Sequence, residues 1–207
     1  EILGEKHLDT LSALHNLAIS YSDLGDYNTA LEMRNTVYNA LKDILGDNHS
    51  ATLTALANLA SSYSNLGNCD KAFKLQNTVY NARKEILGDD HLDTLSALHN
   101  LANSYSDLGD YNTALEIRNT VYNARNEILG ESHPDTLSAL ANLAMGYSEL
   151  GNYNKAFELQ NIVYNTSKEI LGANHPYTLS SLNNLAVFYS YLGHYDKTFE
   201  LQNTVYN

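Results

Sequence analysis

Residues 10–32 read TLSALHNLAISYSDLGDYNTALE, and this stretch decides the fold. Leu11, Leu14, Leu17, Ala18, Tyr21 and Leu24 recur at intervals of three and four, the spacing of one helix face. Gly25 then follows as a C′ residue that stops the helix, and Asp26 is placed to cap the next one. Tyr27, Ala30, Leu31, Val37, Tyr38, Leu41, Ile44 and Leu45 carry a second helical pattern to Gly46. The unit is helix–turn–helix, and it repeats. Glycines fall at Gly4, Gly46, Gly88, Gly130 and Gly172, and again at Gly25, Gly67, Gly109, Gly151 and Gly193, each set with a period of 42. Of the 11 glycines only Gly146 lies outside both sets, so glycine here is punctuation.

The array therefore divides into copies 5–46, 47–88, 89–130, 131–172 and 173–207, a single array over 1–207 in which residues 1–4 read as the tail of a preceding repeat. No segment alternates with period two, so no strands are expected. Each copy lacks a core of its own and must bury its apolar faces against its neighbours. A longer period overlies the first. Copies one and three differ at seven of 42 positions, copies one and two at 18, which fits duplication of an 84-residue pair.

Composition narrows the function. Hydrophobic residues make up 43% and charged residues 17%, too apolar for a disordered chain. The formal net charge of −12 argues against nucleic acid, whose phosphates need Lys and Arg, and against an anionic membrane surface. No apolar run approaches the roughly 20 residues of a membrane span. Cys69 is the only cysteine, so no intrachain disulfide forms, and a cytoplasmic location is expected.

The residues Leu14, Leu17, Ala18, Tyr21, Gly25, Tyr27 and Ala30, with the run ending the first four copies in Ile-Leu-Gly, resemble the tetratricopeptide repeat. More narrowly, the pattern is similar to the 42-residue version of kinesin light chains. Two departures stand out: Val37 in place of the usual small alanine, and Cys69 in place of a tyrosine. The resemblance implies an all-α, right-handed α-solenoid of five repeats whose first helices line a concave groove. It also implies a non-enzymatic scaffold that binds a peptide or partner segment in that groove, with no cofactor.

Mapped onto the motif, the groove positions are those of Ser12, His15, Ile19, Ser22 and Asp23 and their counterparts. The candidates for peptide contact are His15, Asp23, His99, Asn103, Asp107, Met145, Glu149, Asn183 and Tyr191, several at positions that vary between copies. The row Asn16, Asn58, Asn100, Asn142 and Asn184 is sharper, because an amide both donates and accepts and can pair with an extended backbone. The alternative is that each asparagine bonds a neighbouring helix. Acidic Asp23, Asp107 and Glu149 suggest a partner carrying Lys or Arg.

Metal and catalysis find little support. His7, His49, His91, His133 and His175 stand one per copy, too far apart to share an ion, and are better placed to cap turns. No phosphate loop or nucleophile elbow occurs, and a residue copied five times does not easily build one active site. The rival to a peptide scaffold is a structural or regulatory array whose ends meet, giving end-to-end self-association.

Overall fold

A computed structural model describes Gly4 and residues 7–206 of the chain. Residues 1–3, most of the segment read as the tail of a preceding repeat, lie outside the described residues. Among the described residues ten helices follow one another, and no strand occurs. The first helices of the five copies are α1 (Leu8–Asp23), α3 (Ser50–Asn65), α5 (Leu92–Asp107), α7 (Pro134–Glu149) and α9 (Pro176–Tyr191). The second helices are α2 (Tyr27–Leu45), α4 (Cys69–Leu87), α6 (Tyr111–Leu129), α8 (Tyr153–Leu171) and α10 (Tyr195–Tyr206).

The boundaries follow from turn chemistry. At the end of α1 the chain enters positive φ at Gly25 (81°), where a side chain would be strained. The Gly25 amide donates to the Ser22 carbonyl (3.0 Å) and the Asp26 amide to the Tyr21 carbonyl (2.9 Å), the pairing of a Schellman turn. The Asp26 carboxylate then accepts from the Thr29 amide at 3.1 Å, and Asn68 and Asn152 do the same for Lys71 and Lys155. Each first helix begins on a histidine. The Nδ1 atoms of His7, His49, His91, His133 and His175 accept from amides two residues on, at 3.1–3.2 Å. That capping role accounts for five of the eight histidines, and an accepting Nδ1 places the ring proton on Nε2.

The described residues form two compact units, the first ending at Asp110 and the second beginning at Tyr111. In the first, Leu11, Val37, Leu41 and Ala55 cluster across copies one and two, and Leu53, Leu59, Val79 and Ala97 across copies two and three. In the second, Leu143, Ala156, Val163 and Phe188 cluster across copies four and five. Cores therefore lie between copies as much as within them. Val37, Val79, Val121 and Val163, at the departure from the small alanine, are at most 4% exposed.

Several apolar positions behave differently from their periodic reading, among them Tyr27 and Ile44 of the second helix, which are exposed. Leu17 is 45% exposed, whereas Leu59, Leu101, Leu143 and Leu185 at the same position are buried. No described helix covers that side of α1. Leu24, counted with the apolar face, is exposed as well, because it sits in the turn. Cys69 is half-buried at the first residue of α4.

Candidate functional site

The first helices carry every candidate contact residue, and the structure sorts them by what already holds them. Asn58, Asn100 and Asn142 are half-buried, while Asn16 and Asn184 are exposed. Among the described residues, none of these five side-chain amides takes part in an intramolecular hydrogen bond. The alternative role, bonding a neighbouring helix through the amide, is therefore not the one they adopt. In the first unit, Asn16 and Asn58 line one cavity, and Asn100 lines a smaller one with Asn103 and Asp107. In the second unit Asn142 and Asn184 lie on α7 and α9.

The acidic candidates are more committed. Asp107 accepts a short hydrogen bond from the Ser64 hydroxyl of the preceding copy. Glu149 is paired with the guanidinium of Arg118, Nη1 to Oε2 at 2.5 Å and Nη2 to Oε1 at 3.3 Å. Asp23 is exposed and acts at a distance: burial pushes the Arg34 guanidinium below its ordinary value, and the Asp23 charge opposes that shift. The Asn65 amide reaches the Ser22 hydroxyl at 3.5 Å. Positions 65, 107 and 149 thus help join one copy to the one before it.

The remaining candidates present varied surface. Half-buried His15 lines the larger cavity, and half-buried His99 lies 3.3 Å from the Asn103 amide nitrogen. Met145 and Tyr191 are each more than half exposed, with Tyr191 stacked on Tyr153 at 4.8 Å between ring centres. Asn183 is exposed. The tyrosines of the repeated apolar face are half-buried, and Tyr105 and Tyr189 meet rings from the preceding copy. Phe73 packs edge-on against Tyr105 at 5.0 Å, and Phe157 against Tyr189 at 4.8 Å.

Sequence reasoning missed a set of buried polar residues on the second helices. Positions 34, 76, 118 and 160 read Arg, Gln, Arg, Gln, and all four are at least 92% buried. Arg34 donates to the Asn58 carbonyl (3.2 Å) and the Ser62 hydroxyl (2.7 Å) of the next copy. Gln76 donates to the Ala57 carbonyl and Gln160 to the Ser181 carbonyl. Gly146, the one glycine outside the repeat, belongs to this arrangement. A Cβ there would stand 3.2 Å from Arg118 Nη1, so the missing side chain is what lets Arg118 reach Glu149. The alternation of Arg and Gln at period 84 is the signal that could have revealed it.

These features define an array of helical hairpins whose joints are polar as well as apolar. The model of the tetratricopeptide repeat family matches residues 51–127, 93–165 and 135–207, and a second model of the same family matches 10–51. The chain belongs to the tetratricopeptide repeat family, with the all-α solenoid fold of that family. Two solved structures of nearly identical repeats of this kind from Podosopora anserina, assigned to a kinesin light chain, are similar. One, a form with a single substitution, is 26% identical, with 99% of this chain and 95% of that one covered at a TM-score of 0.76. The other is 28% identical, with 96% and 94% covered at 0.74. NprR in complex with its cognate peptide NprX shares the fold at 15% identity and a TM-score of 0.70, covering 94% of this chain and 54% of that one. No curated protein matches the chain. No helix among the described residues is long and apolar enough to cross a membrane.

Proposed function

We propose that the chain is a non-enzymatic, cytoplasmic scaffold that binds a peptide or partner segment along the face formed by its first helices. The observation that carries this reading is the asparagine row. Asn58, Asn100 and Asn142 hold half-buried amides with no intramolecular partner among the described residues. Polar groups so placed are stabilised by any ligand that supplies donors and acceptors in register, as an extended backbone does. The peptide held by NprR, a protein of the same fold, agrees with such a use. The net charge of −12 favours a partner with Lys or Arg by steering its approach. The test is a random-peptide display selection followed by titration of the enriched peptide. Asn100→Ala and Asn142→Ala should each weaken binding by about 0.5–1.5 kcal/mol, the net contribution of one hydrogen bond. Undiminished binding by both variants would remove the asparagines from the site.

A second reading is end-to-end self-association, favoured by the exposed apolar residues Leu17 and Leu24, on α1 and in the turn after it, and Tyr195 and Phe199 on α10. Tyr195 and Phe199 are the counterparts of Tyr153 and Phe157, which pack on the copy that follows. Sedimentation equilibrium of the chain over a wide concentration range should then show a mass that rises with concentration. A constant monomer mass would refute this reading.

A further inference from the structure

Copies of one hairpin would be expected to leave like clefts, yet within the first unit the cleft between the N-terminal halves of α1 and α3 is open where its counterpart between α3 and α5 holds Arg83. A cavity of about 690 Å³ lies among α1, α2 and α3 in the first unit. Its floor is apolar, with Leu11, Val37, Leu41 and Ala55, and Ser12 and Asn58 stand on its walls. Two positions explain why it is open. The second helices carry Leu41, Arg83, Arg125 and Ser167 at equivalent places, and the first turns that follow carry Ala51, Asp93, Asp135 and Tyr177.

Where arginine is present, the chain fills its own cleft. Arg83 Nη1 donates to the Asp93 carbonyl at 3.1 Å, and its Nη2 donates to Thr54 Oγ1 at 3.0 Å. Arg125 Nη1 donates to the Asp135 carbonyl at 3.3 Å. Where Ser167 is too short, the Tyr177 hydroxyl comes to 3.5 Å from Ser138 Oγ instead. Between α1 and α3 neither device exists, because Leu41 lacks a polar head and Ala51 is small. The acceptors remain: Ser12 occupies the place of Thr54, and the Ala51 carbonyl that of Asp93.

We propose that this cleft takes an arginine side chain from the partner segment, in the place that Arg83 and Arg125 occupy elsewhere in the same chain. The inference rests on the peptide-binding reading above and names the residue that this part of the groove recognises. Leu11, Val37 and Leu41 would cover the apolar stem of that arginine, as apolar walls do for long cationic side chains. Its planar head spans a hydroxyl and a carbonyl together, which the point charge of lysine does not. Among the described residues no lysine or arginine lines the cavity to repel it, and the acidic chain draws a cation towards it.

The test uses four pools of labelled decapeptides, random except for a central Arg, Lys, Tyr or Ala, titrated by fluorescence anisotropy. The Arg pool should bind about tenfold tighter than the Lys and Ala pools, a difference of about 1.4 kcal/mol. Leu41→Arg and Ala51→Tyr install the residues that other copies carry, and each should erase that preference. Circular dichroism checks that both variants keep the helical content of the parent, and two different fillings guard against one failing to fold. Ser12→Ala should reduce the preference without filling the cleft. Equal binding by all pools leaves the groove reading standing and overturns the arginine site. A preference that survives both fillings overturns it too, as does a stronger response to the Lys or Tyr pool. Binding by no pool, together with a display selection that enriches nothing, overturns both readings.

Discussion

Replacing Gly146 with alanine sets two opposed effects against each other within α7. Glycine in a helix interior is disfavoured relative to alanine by about 0.8–1.0 kcal/mol, so local propensity alone makes Gly146→Ala stabilising. Packing points the other way. The new Cβ would stand 2.9 Å from Leu115 Cδ1, 3.2 Å from Arg118 Nη1 and 3.3 Å from Arg118 Cδ. Leu115 can swing its terminal methyl aside. Arg118 cannot move as freely, because it is 2% exposed and its guanidinium is fixed on Glu149. A hydrogen bond to a charged group contributes about 1.5–3 kcal/mol, so losing one outweighs the propensity gain by roughly 0.5–2 kcal/mol. At about 2–4 °C per kcal/mol for a chain of this size, the melting midpoint should fall by about 1–8 °C.

The assay is thermal melting by far-ultraviolet circular dichroism, run as a cycle with Glu149→Gln. In that background the paired carboxylate is already gone, so Gly146→Ala should become neutral or stabilising. Gly146→Ser should cost less than Gly146→Ala. Copy two shows why, since Arg34 donates to the Ser62 hydroxyl at the equivalent place, at 2.7 Å. A midpoint that rises with Gly146→Ala in both backgrounds would refute the account of Gly146 as room for Arg118.

Three further outcomes follow from the geometry. His91→Ala removes the acceptor for the Asp93 amide and should cost about 0.5–2 kcal/mol, with faster hydrogen exchange in the first turn of α5, whereas His91→Asn should retain most of the cap. Burial raises the pKa of the Tyr177 phenol, so the folded state keeps that proton to higher pH than the unfolded state does. Stability from this group should decline as pH rises above about 10, the unfolded value, and the decline should be shallower in Tyr177→Phe, read by denaturant melts across that range. Phe157→Leu keeps an apolar side chain but loses the edge-on contact with Tyr189, and should cost about 0.5–1.5 kcal/mol in the same melts.

Much of the fold was legible because its signals are local. Gly25 and its counterparts mark positive-φ turns, and the histidine that opens each first helix recurs with the same period. What escaped is non-local. Arg34 and Arg118 lie on second helices and by hydropathy read as a solvent face, yet they are buried by the first helix of the next copy. Leu17 failed in the opposite sense: its period is that of a core residue, but the surface that covers its counterparts belongs to the preceding second helix. In a stack, a residue's burial is decided about one copy away, where pattern within a helix carries no information.

The same logic separates recognition from assembly. Variation between copies looks at first like the mark of a surface that reads a ligand. Positions 65, 107 and 149 vary, yet Asn65, Asp107 and Glu149 are spent on Ser22, Ser64 and Arg118 within the chain. The asparagine row does not vary at all, yet its amides have no partner among the described residues. A peptide backbone is itself a regular array of donors and acceptors, so an unvarying row is the better match to it. Side-chain choice then has to come from a place where the regularity of the stack is broken. Leu41 and Ala51 make such a break, since the arginine or tyrosine found at these places in later copies is absent there. On the proposed reading, backbone recognition would rest on what repeats and side-chain recognition on what fails to repeat.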